Sequence, residues 1–357
     1  MRIVAHNGAR IWGGAERATV SLLRGLGERG HEILLLCNSD VVVLEASARD
    51  VPARICSIGG DVMLNHAWRI KRELEREKPD AFIVGTYKKL FIAAWGAKMA
   101  GVPRVVARVG LESDTPRSFK YAFALRHWTD GVAVNARRMV KPFAELEGFG
   151  ARRVRLIWNS VSAPEQVVRS HRLREELKIE NGAFVVGAVA RLSIQKRLDR
   201  LVRATAGISG AHCVIAGEGT SRDTLEQLIQ ELNVADRVHL LGERTDVNDV
   251  LDALDVYAVT SSSEGMSNAM LEAMSRGLAV VSTDVSGAED ALAADSAGNA
   301  AGLIVGFDVD SLISALERLR VDSALRDSLA REARQRALEQ FSRDRMLSHW
   351  EEFLSAG

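Results

Sequence analysis

This chain has few of the features that mark secreted, metal-binding or membrane-spanning proteins. Its three cysteines, Cys37, Cys56 and Cys213, are scattered and odd in number, which argues against a disulfide framework and against a zinc ligand set. No run approaches the roughly 18 apolar residues of a transmembrane helix. The opening residues, MRIVAHNGAR, become polar too early for a signal peptide and fit a first β-strand instead. These absences predict a protein of the reducing cytoplasm.

The net charge of zero hides an uneven distribution of charge along the chain. Residues 1–160 contain 26 Lys and Arg against 16 Asp and Glu, whereas residues 161–357 contain 21 against 31. The first part, at +10, either has solvated faces that differ by chance or faces an anionic partner such as a membrane surface. Residues 115–130, TPRSFKYAFALRHWTD, combine basic and aromatic side chains, which is typical of interfacial helices and of ordinary packed helices.

Length and composition indicate two globular domains. The 357 residues exceed what one hydrophobic core usually serves, and 47% hydrophobic with 26% charged residues is normal for a soluble protein. Runs rich in Val and Ile alternate with amphipathic helical stretches throughout. Such runs suit parallel strands buried on both faces, and repeated strand–helix–strand units form doubly wound α/β sheets. The predicted strands cover residues 3–6, 32–37, 81–85, 104–109, 131–134, 154–157, 184–190, 212–216, 237–241, 256–260, 279–283 and 302–305.

Two loops follow predicted strands at positions where ligands bind in such sheets. The first, NGARIWGGAE, carries Gly13 and Gly14 just before a helix, where the backbone can approach a ligand closely or simply make a tight turn. The second, ARLSIQKR, carries Arg191 and Lys196. A planar guanidinium and a mobile ammonium together suit a diphosphate, although a solvated basic loop has the same composition.

A third loop, SSSEGMSNAMLEAM, places Glu264 and Glu272 eight positions apart. We predict a helix from Ser267 to Arg276, capped by Ser267 or Asn268, with Glu272 inside it. Amides at a helix N-terminus bind anions, and carboxylates bind sugar hydroxyls. The segment therefore suits a ligand that is both sugar and phosphate, and the alternative is a pair of surface carboxylates.

These motifs together resemble the retaining glycosyltransferases of family 4, which have the GT-B fold. The matching segments extend over nearly the whole chain: GGAE, RLSIQK, AGEG at 216–219, LGERTDV at 241–247, the two glutamates (E-x7-E), RGLAVVSTDVSGAEDAL and GLIVGFDVDSL. The resemblance implies an α/β architecture of two Rossmann-like doubly wound domains that face each other across a cleft. It implies an acceptor-binding domain over 1–163 and a nucleotide-sugar-binding domain over 164–341. It also implies that a C-terminal helix, 342–357, crosses back to the first domain.

The resemblance assigns roles to residues that match the family motifs. Arg191 and Lys196 would bind the donor diphosphate, and Glu272 would accept from the ribose hydroxyls. Glu264 would bind the sugar together with neighbouring backbone amides, and Arg244 would lie beside the base. The implied donor-binding residues are Gly13, Gly14, Arg191, Lys196, Arg244, Glu264, Gly265, Met266, Ser267, Asn268 and Glu272.

The chemistry is expected to be retaining and independent of metal. The sugar ring gains positive charge as the diphosphate departs, and no metal-ligand spacing is apparent, so Arg191, Lys196 and helix N-termini balance the leaving-group charge. Many family members have a histidine in the loop that here reads RVGLESD; in its place Glu112 or Asp114 takes the polar role near the sugar, or both are ordinary loop residues. The predicted catalytic residues are Glu264, Arg191, Lys196 and Glu112.

The acceptor is expected to bind Tyr87 and Lys88, which follow the strand ending at residue 85, together with Glu112 and Asp114. The predicted activity is transfer of a hexose from a UDP- or GDP-sugar to a glycan or lipid-linked acceptor in the synthesis of envelope polysaccharide, lipopolysaccharide or glycolipid. No further cofactor and no nucleic acid is expected, and the protein would be cytoplasmic, with peripheral contact at the inner membrane face. The alternatives are an epimerase or phosphorylase on the same fold and an inactive donor-binding partner subunit.

Overall fold

The computed structural model describes residues 1–59, 64–116 and 118–356. The chain divides into two compact units, one formed by Met1–Asn159 with Arg343–Gly357 and the other by Ser160–Ser342. The strands of the first unit are β1 (Arg2–Asn7), β2 (Glu32–Cys37), β3 (Ala53–Ile55), β4 (Ala81–Val84), β5 (Arg104–Val109), β6 (Gly131–Val134) and β7 (Val154–Leu156). The strands of the second unit are β8 (Val185–Val189), β9 (His212–Ala216), β10 (Val238–Leu240), β11 (Val256–Val259), β12 (Ala279–Thr283) and β13 (Leu303–Val305).

Helices connect the strands along the whole chain. In chain order they are α1 (Gly14–Glu28), α2 (Asp40–Ser47), α3 (Leu64–Glu77), α4 (Leu90–Met99), α5 (Phe119–Trp128), α6 (Val140–Ala144), α7 (Arg172–Glu176), α8 (Leu198–Gly207), α9 (Arg222–Glu231), α10 (Val247–Asp252), α11 (Asn268–Ser275), α12 (Ser286–Leu292), α13 (Val309–Val321), α14 (Ser323–Glu339) and α15 (Arg343–Ser355). The last of these, α15, belongs to the first unit. Short 3₁₀ turns at Tyr87–Lys89, Arg137–Met139, Ala151–Arg153 and Ile194–Lys196 complete the connections.

Each unit is built on one parallel sheet, which confirms the prediction of two Rossmann-like domains. The first sheet has the order β3-β2-β1-β4-β5-β6-β7, and the second has the order β10-β9-β8-β11-β12-β13. Strand order therefore reverses between β1 and β4 in one unit and between β8 and β11 in the other. In open parallel sheets this reversal leaves a crevice beyond the carboxyl ends of the strands, where ligands bind.

Two elements of the first unit were not predicted. Strand β3 has three residues at the sheet edge and is half exposed, so it lacks the long apolar run by which buried strands are identified. Helix α2 contains three consecutive valines, which favour strands, yet Asp40 in its first turn and the extended Ser39 before it begin a helix. Burial of Val42 and Ala46 in the core outweighs the intrinsic propensity.

The C-terminal helix α15 completes the core of the first unit. Trp350 and Phe353 are each 3% exposed and lie in the same buried cluster as residues of β1 and α1. Two glycines make room for this helix: a Cβ on Gly25 would lie 2.6 Å from a Leu347 methyl carbon, and one on Gly131 would lie 2.7 Å from the Phe353 ring. The helix is therefore an integral part of the first unit, as the resemblance implies.

Lowering the pH is expected to destabilise the first unit through His6. This residue of β1 has no exposed surface, its Nε2 lies 3.1 Å from the Cys56 carbonyl oxygen, and burial lowers its pKa from 6.5 to about 4. The native imidazole stays neutral, so its stability contribution is fully present above pH 6.5 and is lost as the pH falls toward 4. The expected loss in the free energy of unfolding is up to about 3 kcal/mol over that window.

Urea unfolding at pH values on either side of that window measures the effect. His6→Gln should flatten the acid side of the stability profile, whereas His127→Gln, at an exposed position on α5, should leave the profile unchanged. An equally steep acid loss in His6→Gln and in the unaltered chain would contradict the assignment.

Candidate functional site

The reversal point of the second sheet is held open by a buried tyrosine. Pairing between β8 and β11 extends as far as Gly187 and Tyr257. Beyond that point the Tyr257 hydroxyl donates to the Val189 carbonyl at 3.2 Å and accepts from the Val189 amide at 3.4 Å. Burial raises the pKa of Tyr257, and the nearby negative charges of Glu272 and Glu264 raise it further. The phenol is therefore a neutral bridge that separates the ends of the two strands.

A small pocket lies beyond this bridge. Its walls are the last residues of β8 and β11, and its polar lining comes from Lys196, Thr260, Ser261 and Ser267. Lys196 belongs to the ARLSIQKR loop, Ser261 and Ser267 belong to the E-x7-E segment, and Thr260 directly precedes that segment. The structure thus brings the ARLSIQKR loop and the E-x7-E segment to one crevice at the carboxyl edge of the sheet.

Lys196 and Glu264 form an ion pair at this crevice. The Lys196 ammonium donates to Glu264 Oε1, and the Ser261 hydroxyl donates to the same oxygen at 2.9 Å. Glu264 is only 6% exposed. No described residue donates to its other oxygen, Oε2. A carboxylate with one oxygen held by the protein and one available for a ligand is suited to binding a sugar hydroxyl.

The helix of the E-x7-E segment begins where the sequence predicts. Helix α11 starts at Asn268, and the Ser267 hydroxyl accepts from the Met270 amide at 3.4 Å, which confirms Ser267 as its N-cap. Glu272 lies one turn inside the helix and is half-buried. The negative charges of both glutamates raise the pKa of the buried Tyr257.

The leader, defined as residues 261–267 before α11, packs closely against the start of α12. The Gly287 amide donates to the Gly265 carbonyl at 3.1 Å. A Cβ on Gly287 would lie 2.3 Å from that oxygen, so a glycine is required there. Met266 is 4% exposed, which makes its side chain a packing residue.

The AGEG turn supports the backbone of the ARLSIQKR loop. The Leu192 amide donates to the Glu218 carbonyl at 2.9 Å. A Cβ on Gly217 would lie 2.0 Å from the Ala190 carbonyl oxygen, and one on Gly219 would lie 2.2 Å from that of Leu192. The turn therefore has a structural role, because its two glycines let the loop that carries Arg191 and Lys196 lie directly against it.

Gly217→Ala is expected to lower the free energy of unfolding by about 3 kcal/mol and to weaken ligand binding at the crevice, because the new Cβ has no room beside Ala190. Gly210→Ala is the matched control: Gly210 also has a positive φ, but no atom lies within 4 Å of its added Cβ. The control should cost about 1 kcal/mol of backbone strain. Urea unfolding compares the two, and equal losses would refute the packing argument.

The two other basic residues of the loop differ in their surroundings. Arg191 is exposed, and within the described ranges its guanidinium makes no ion pair or hydrogen bond. Arg197 has a left-handed backbone with φ of 48° and pairs with Asp199 through two bonds of 2.9 Å. A non-glycine residue held in this region costs of the order of 1 kcal/mol, and such strain is concentrated at functional sites.

Arg244 is held by carboxylates of its own unit. Its guanidinium donates to both oxygens of Asp246 at 2.8 Å and to Glu176 at 3.2 and 3.4 Å. The turn that carries it also approaches the AGEG turn, since the Gly217 amide donates to the Gly242 carbonyl at 2.7 Å. The predicted position of Arg244 beside a nucleotide base remains a prediction.

Three of the four predicted acceptor residues lie together in the first unit. Tyr87 and Lys88 follow β4, and Asp114 follows the neighbouring strand β5. Burial and the charge of Asp114 raise the pKa of Tyr87, whereas the pKa of Asp114 is raised by burial and lowered by the charge of Lys88. Tyr87 is 5% exposed, and its hydroxyl has no hydrogen-bond partner among the described residues. Glu112 is exposed to solvent.

Gly13 and Gly14 lie at the start of the first helix. Gly13 is the extended residue before α1, and its carbonyl accepts from the Arg17 amide at 3.0 Å. Gly14 is the first residue of the helix. Among the described residues, no side chain caps this end of the helix by a hydrogen bond.

Sequence reasoning missed residues of the crevice that act through hydrogen bonds. Tyr257 is a polar side chain within the buried run VYAV, and that interruption was the available signal. Gln195 and Thr260 carry no comparable signal, since isolated polar residues in loops are ordinary. In the part of the chain that the structure describes, no group of three or more His, Cys, Asp and Glu is placed to hold a metal ion.

Two family models match the chain. The model described as Glycosyltransferase Family 4 matches residues 12–163, and the model described as Glycosyl transferases group 1 matches residues 170–336. The lipopolysaccharide core biosynthesis glycosyltransferase LpsE of Rhizobium meliloti (strain 1021) is 27% identical over 354 residues, which covers 96% of this chain and 96% of that protein.

A second relative and a solved structure extend this similarity. The UDP-Gal:alpha-D-GlcNAc-diphosphoundecaprenol alpha-1,3-galactosyltransferase of Escherichia coli is 29% identical over 271 residues, covering 71% of this chain and 69% of that protein. The crystal structure of Anabaena HepE in complex with UDP and glucose has a TM-score of 0.85 over the whole of both chains at 20% identity, which shows a shared fold. With its two parallel-sheet units and its matches to both models, the chain belongs to the family 4 glycosyltransferases, with the GT-B fold.

Proposed function

We propose that the chain is a retaining, metal-independent hexosyltransferase that uses a nucleoside diphosphate sugar, either a UDP- or a GDP-sugar, and needs no other cofactor. The observation that carries the proposal is the crevice at the reversal of the second sheet. There the Lys196 ammonium pairs with a buried carboxylate, Glu264; Arg191 lies on the same loop as Lys196, and Glu272 lies on the helix that follows Glu264. A ligand that joins an anionic diphosphate to a polyhydroxylated ring matches both sets of groups.

The chemical step breaks the bond between the anomeric carbon and the diphosphate oxygen. Lys196 and Arg191 stabilise the charge that develops on the departing diphosphate, and Glu264 Oε2 holds a hydroxyl of the sugar as the ring gains positive charge. The acceptor hydroxyl forms the new bond on the same face of the sugar and passes its proton to the departing diphosphate. This route preserves the anomeric configuration, and Glu112 or Asp114 orients the acceptor.

The acceptor is proposed to be a glycan or a lipid-linked glycan of the cell envelope. The names of the two relatives support this proposal, because one refers to the lipopolysaccharide core and the other to a diphosphoundecaprenol-linked sugar. Within this chain, Tyr87, Lys88 and Asp114 provide a buried hydroxyl, a cation and a carboxylate at adjacent strand ends. This group is suited to a polyhydroxylated acceptor that also carries negative charge.

A thermal-shift screen against UDP- and GDP-sugars identifies the donor, because a ligand that binds only the native state raises Tm. The rise grows with the ratio of ligand concentration to Kd. The hit is then incubated with lipid-linked and core-glycan acceptors, and the product linkage is examined by NMR. Transfer with the donor's anomeric configuration is expected. An inverted linkage refutes retention, binding without transfer favours an inactive partner subunit, and isomerised free donor favours an epimerase.

We also propose that the first unit contacts anionic membranes. It carries 28 Lys and Arg against 19 Asp and Glu, and Phe119, at the start of α5, is 81% exposed. The Lys120 ammonium lies beside it on α5, over the Tyr121 ring at 4.6 Å. None of the helices within the described residues is long and apolar enough to cross a bilayer, so the contact would be peripheral.

Reversible, salt-sensitive binding to liposomes that contain anionic lipid is the expected result. Phe119→Ser should weaken cosedimentation several-fold, because the variant can no longer bury one apolar side chain in the membrane interface. Leu44→Ser is the matched control, because Leu44 is 69% exposed on α2 of the same unit between Val43 and Glu45. Absence of binding at low salt, or equal losses in the two variants, would overturn the proposed contact.

A further inference from the structure

Gln195 joins the two loops that flank the crevice. Its backbone carbonyl accepts from the Ser262 amide at 2.9 Å and from the Ser262 hydroxyl at 3.2 Å. Its side-chain amide donates to the Ser263 carbonyl at 2.7 Å. One residue of the ARLSIQKR loop therefore contacts two successive residues of the E-x7-E leader, through both its main chain and its side chain.

A second connection lies beside the first. The Thr260 hydroxyl donates to the Lys196 carbonyl at 2.9 Å, and the Thr260 carbonyl accepts from the Arg200 guanidinium at 3.0 Å. Arg200 is 8% exposed, so this bond is protected from water. The backbones of residues 195–196 and 260–263 are thus joined at successive positions.

These bonds matter because strand pairing does not continue into the loops. The ladder between β8 and β11 ends at Gly187 and Tyr257, well before the loops begin. The ammonium of Lys196 is attached to the residue after Gln195, and the carboxylate of Glu264 to the residue after Ser263. The separation of these two charged groups is therefore set by the hydrogen bonds of Gln195 and its neighbours.

We propose that Gln195 is a positioning residue: it fixes the diphosphate-binding Lys196 relative to the sugar-binding Glu264 without touching the donor. This proposal rests on the proposed function of the crevice. The side-chain bond to Ser263 is the part that a substitution can remove, since the main-chain bonds to Ser262 do not depend on residue type. Gln195→Met removes that bond while keeping the length of the side chain.

Hydrogen exchange of the unliganded protein tests the positioning step by itself. In Gln195→Met, amides of the segment 261–267 are expected to exchange about 10-fold faster than in the unaltered chain, because the side-chain hydrogen bond to Ser263 no longer holds this segment. Gln230→Met is the matched control: Gln230 is exposed on α9, and its side chain bonds to no described residue. Unchanged exchange of the segment in Gln195→Met would overturn the proposal.

A double-mutant cycle tests whether the effect passes through Lys196. Gln195→Met is expected to lower kcat about 10-fold and to change the donor KM less than 3-fold, the pattern of a lost transition-state contact. In the background of Lys196→Met the same substitution should lower kcat less than about 2-fold, since interacting residues are not additive. The same factor in both backgrounds would refute positioning through Lys196.

The function of the crevice and the role of Gln195 can be refuted separately. If no donor is bound or turned over by the unaltered chain, the proposed function fails, yet the exchange measurement still reports whether Gln195 orders the leader. If transfer is robust and exchange or coupling is absent, the proposed function stands and the role of Gln195 is refuted. Thermal unfolding of Gln195→Met within a few degrees of the unaltered chain, as for a single lost hydrogen bond, verifies that the variant is folded.

Discussion

Glu264→Gln is expected to lower kcat for sugar transfer about 1,000-fold, equivalent to about 4 kcal/mol of transition-state stabilisation. The amide keeps the shape of the carboxylate and can still accept a hydrogen bond from Ser261, so the fold of the segment is retained. It removes the negative charge that faces the sugar as the ring becomes positive. Steady-state kinetics at saturating donor measure the loss.

Binding of the free nucleoside diphosphate separates the roles of the two glutamates. Glu264→Gln should leave this affinity unchanged or tighter, because the Lys196 ammonium no longer neutralises a carboxylate. Glu272→Gln is the matched variant and should weaken nucleotide binding about 10-fold through the ribose, with a smaller effect on kcat. Equal effects of the two substitutions on free nucleotide binding would contradict this division.

Lys196→Met is expected to weaken nucleoside diphosphate binding about 100-fold and to lower kcat/KM about 1,000-fold, because the ammonium contacts charge that grows in the transition state. The substitution should also destabilise the fold by about 3 kcal/mol, since it leaves Glu264 buried without its cation. Calorimetric titration measures the first effect and urea unfolding measures the second.

The double variant Lys196→Met with Glu264→Gln separates the loss of stability from the loss of activity. Removing both charges should restore most of the lost stability, because a neutral pair no longer leaves an uncompensated charge in the crevice. Activity should stay as low as in the less active single variant. A double variant as unstable as Lys196→Met alone would show that the ion pair does not account for the destabilisation.

Much of the fold could be predicted because the signals are local. The run AFIV and the other buried strands are continuously apolar, and the start of α11 follows from a serine before a series of strong helix formers. The relative placement of Lys196 and Glu264 could not be predicted in this way. It depends on hydrogen bonds between residues 68 positions apart, and single-sequence patterns carry no information on such contacts.

The charge difference between the two halves of the chain illustrates a second limit of prediction from sequence. Arg153 donates to the Leu125 and Arg126 carbonyls at the end of α5, and in the second unit Arg237 and Arg336 do the same at the ends of α8 and α12. These guanidinium groups donate to carbonyls at the C-terminal ends of helices, where main-chain donors within the helix run out. A count of charges treats such residues as surface charge, although their role is structural.

The position of α15 determines when the first unit can finish folding on the ribosome. Trp350, Phe353 and their neighbours are part of the core that also contains β1 and α1, so that core remains incomplete until residues 343–355 have emerged. The second unit is synthesised entirely before that moment and can fold first. The half of the chain that is made earliest is therefore the half that matures last, and it must remain competent to receive a helix made after its neighbour.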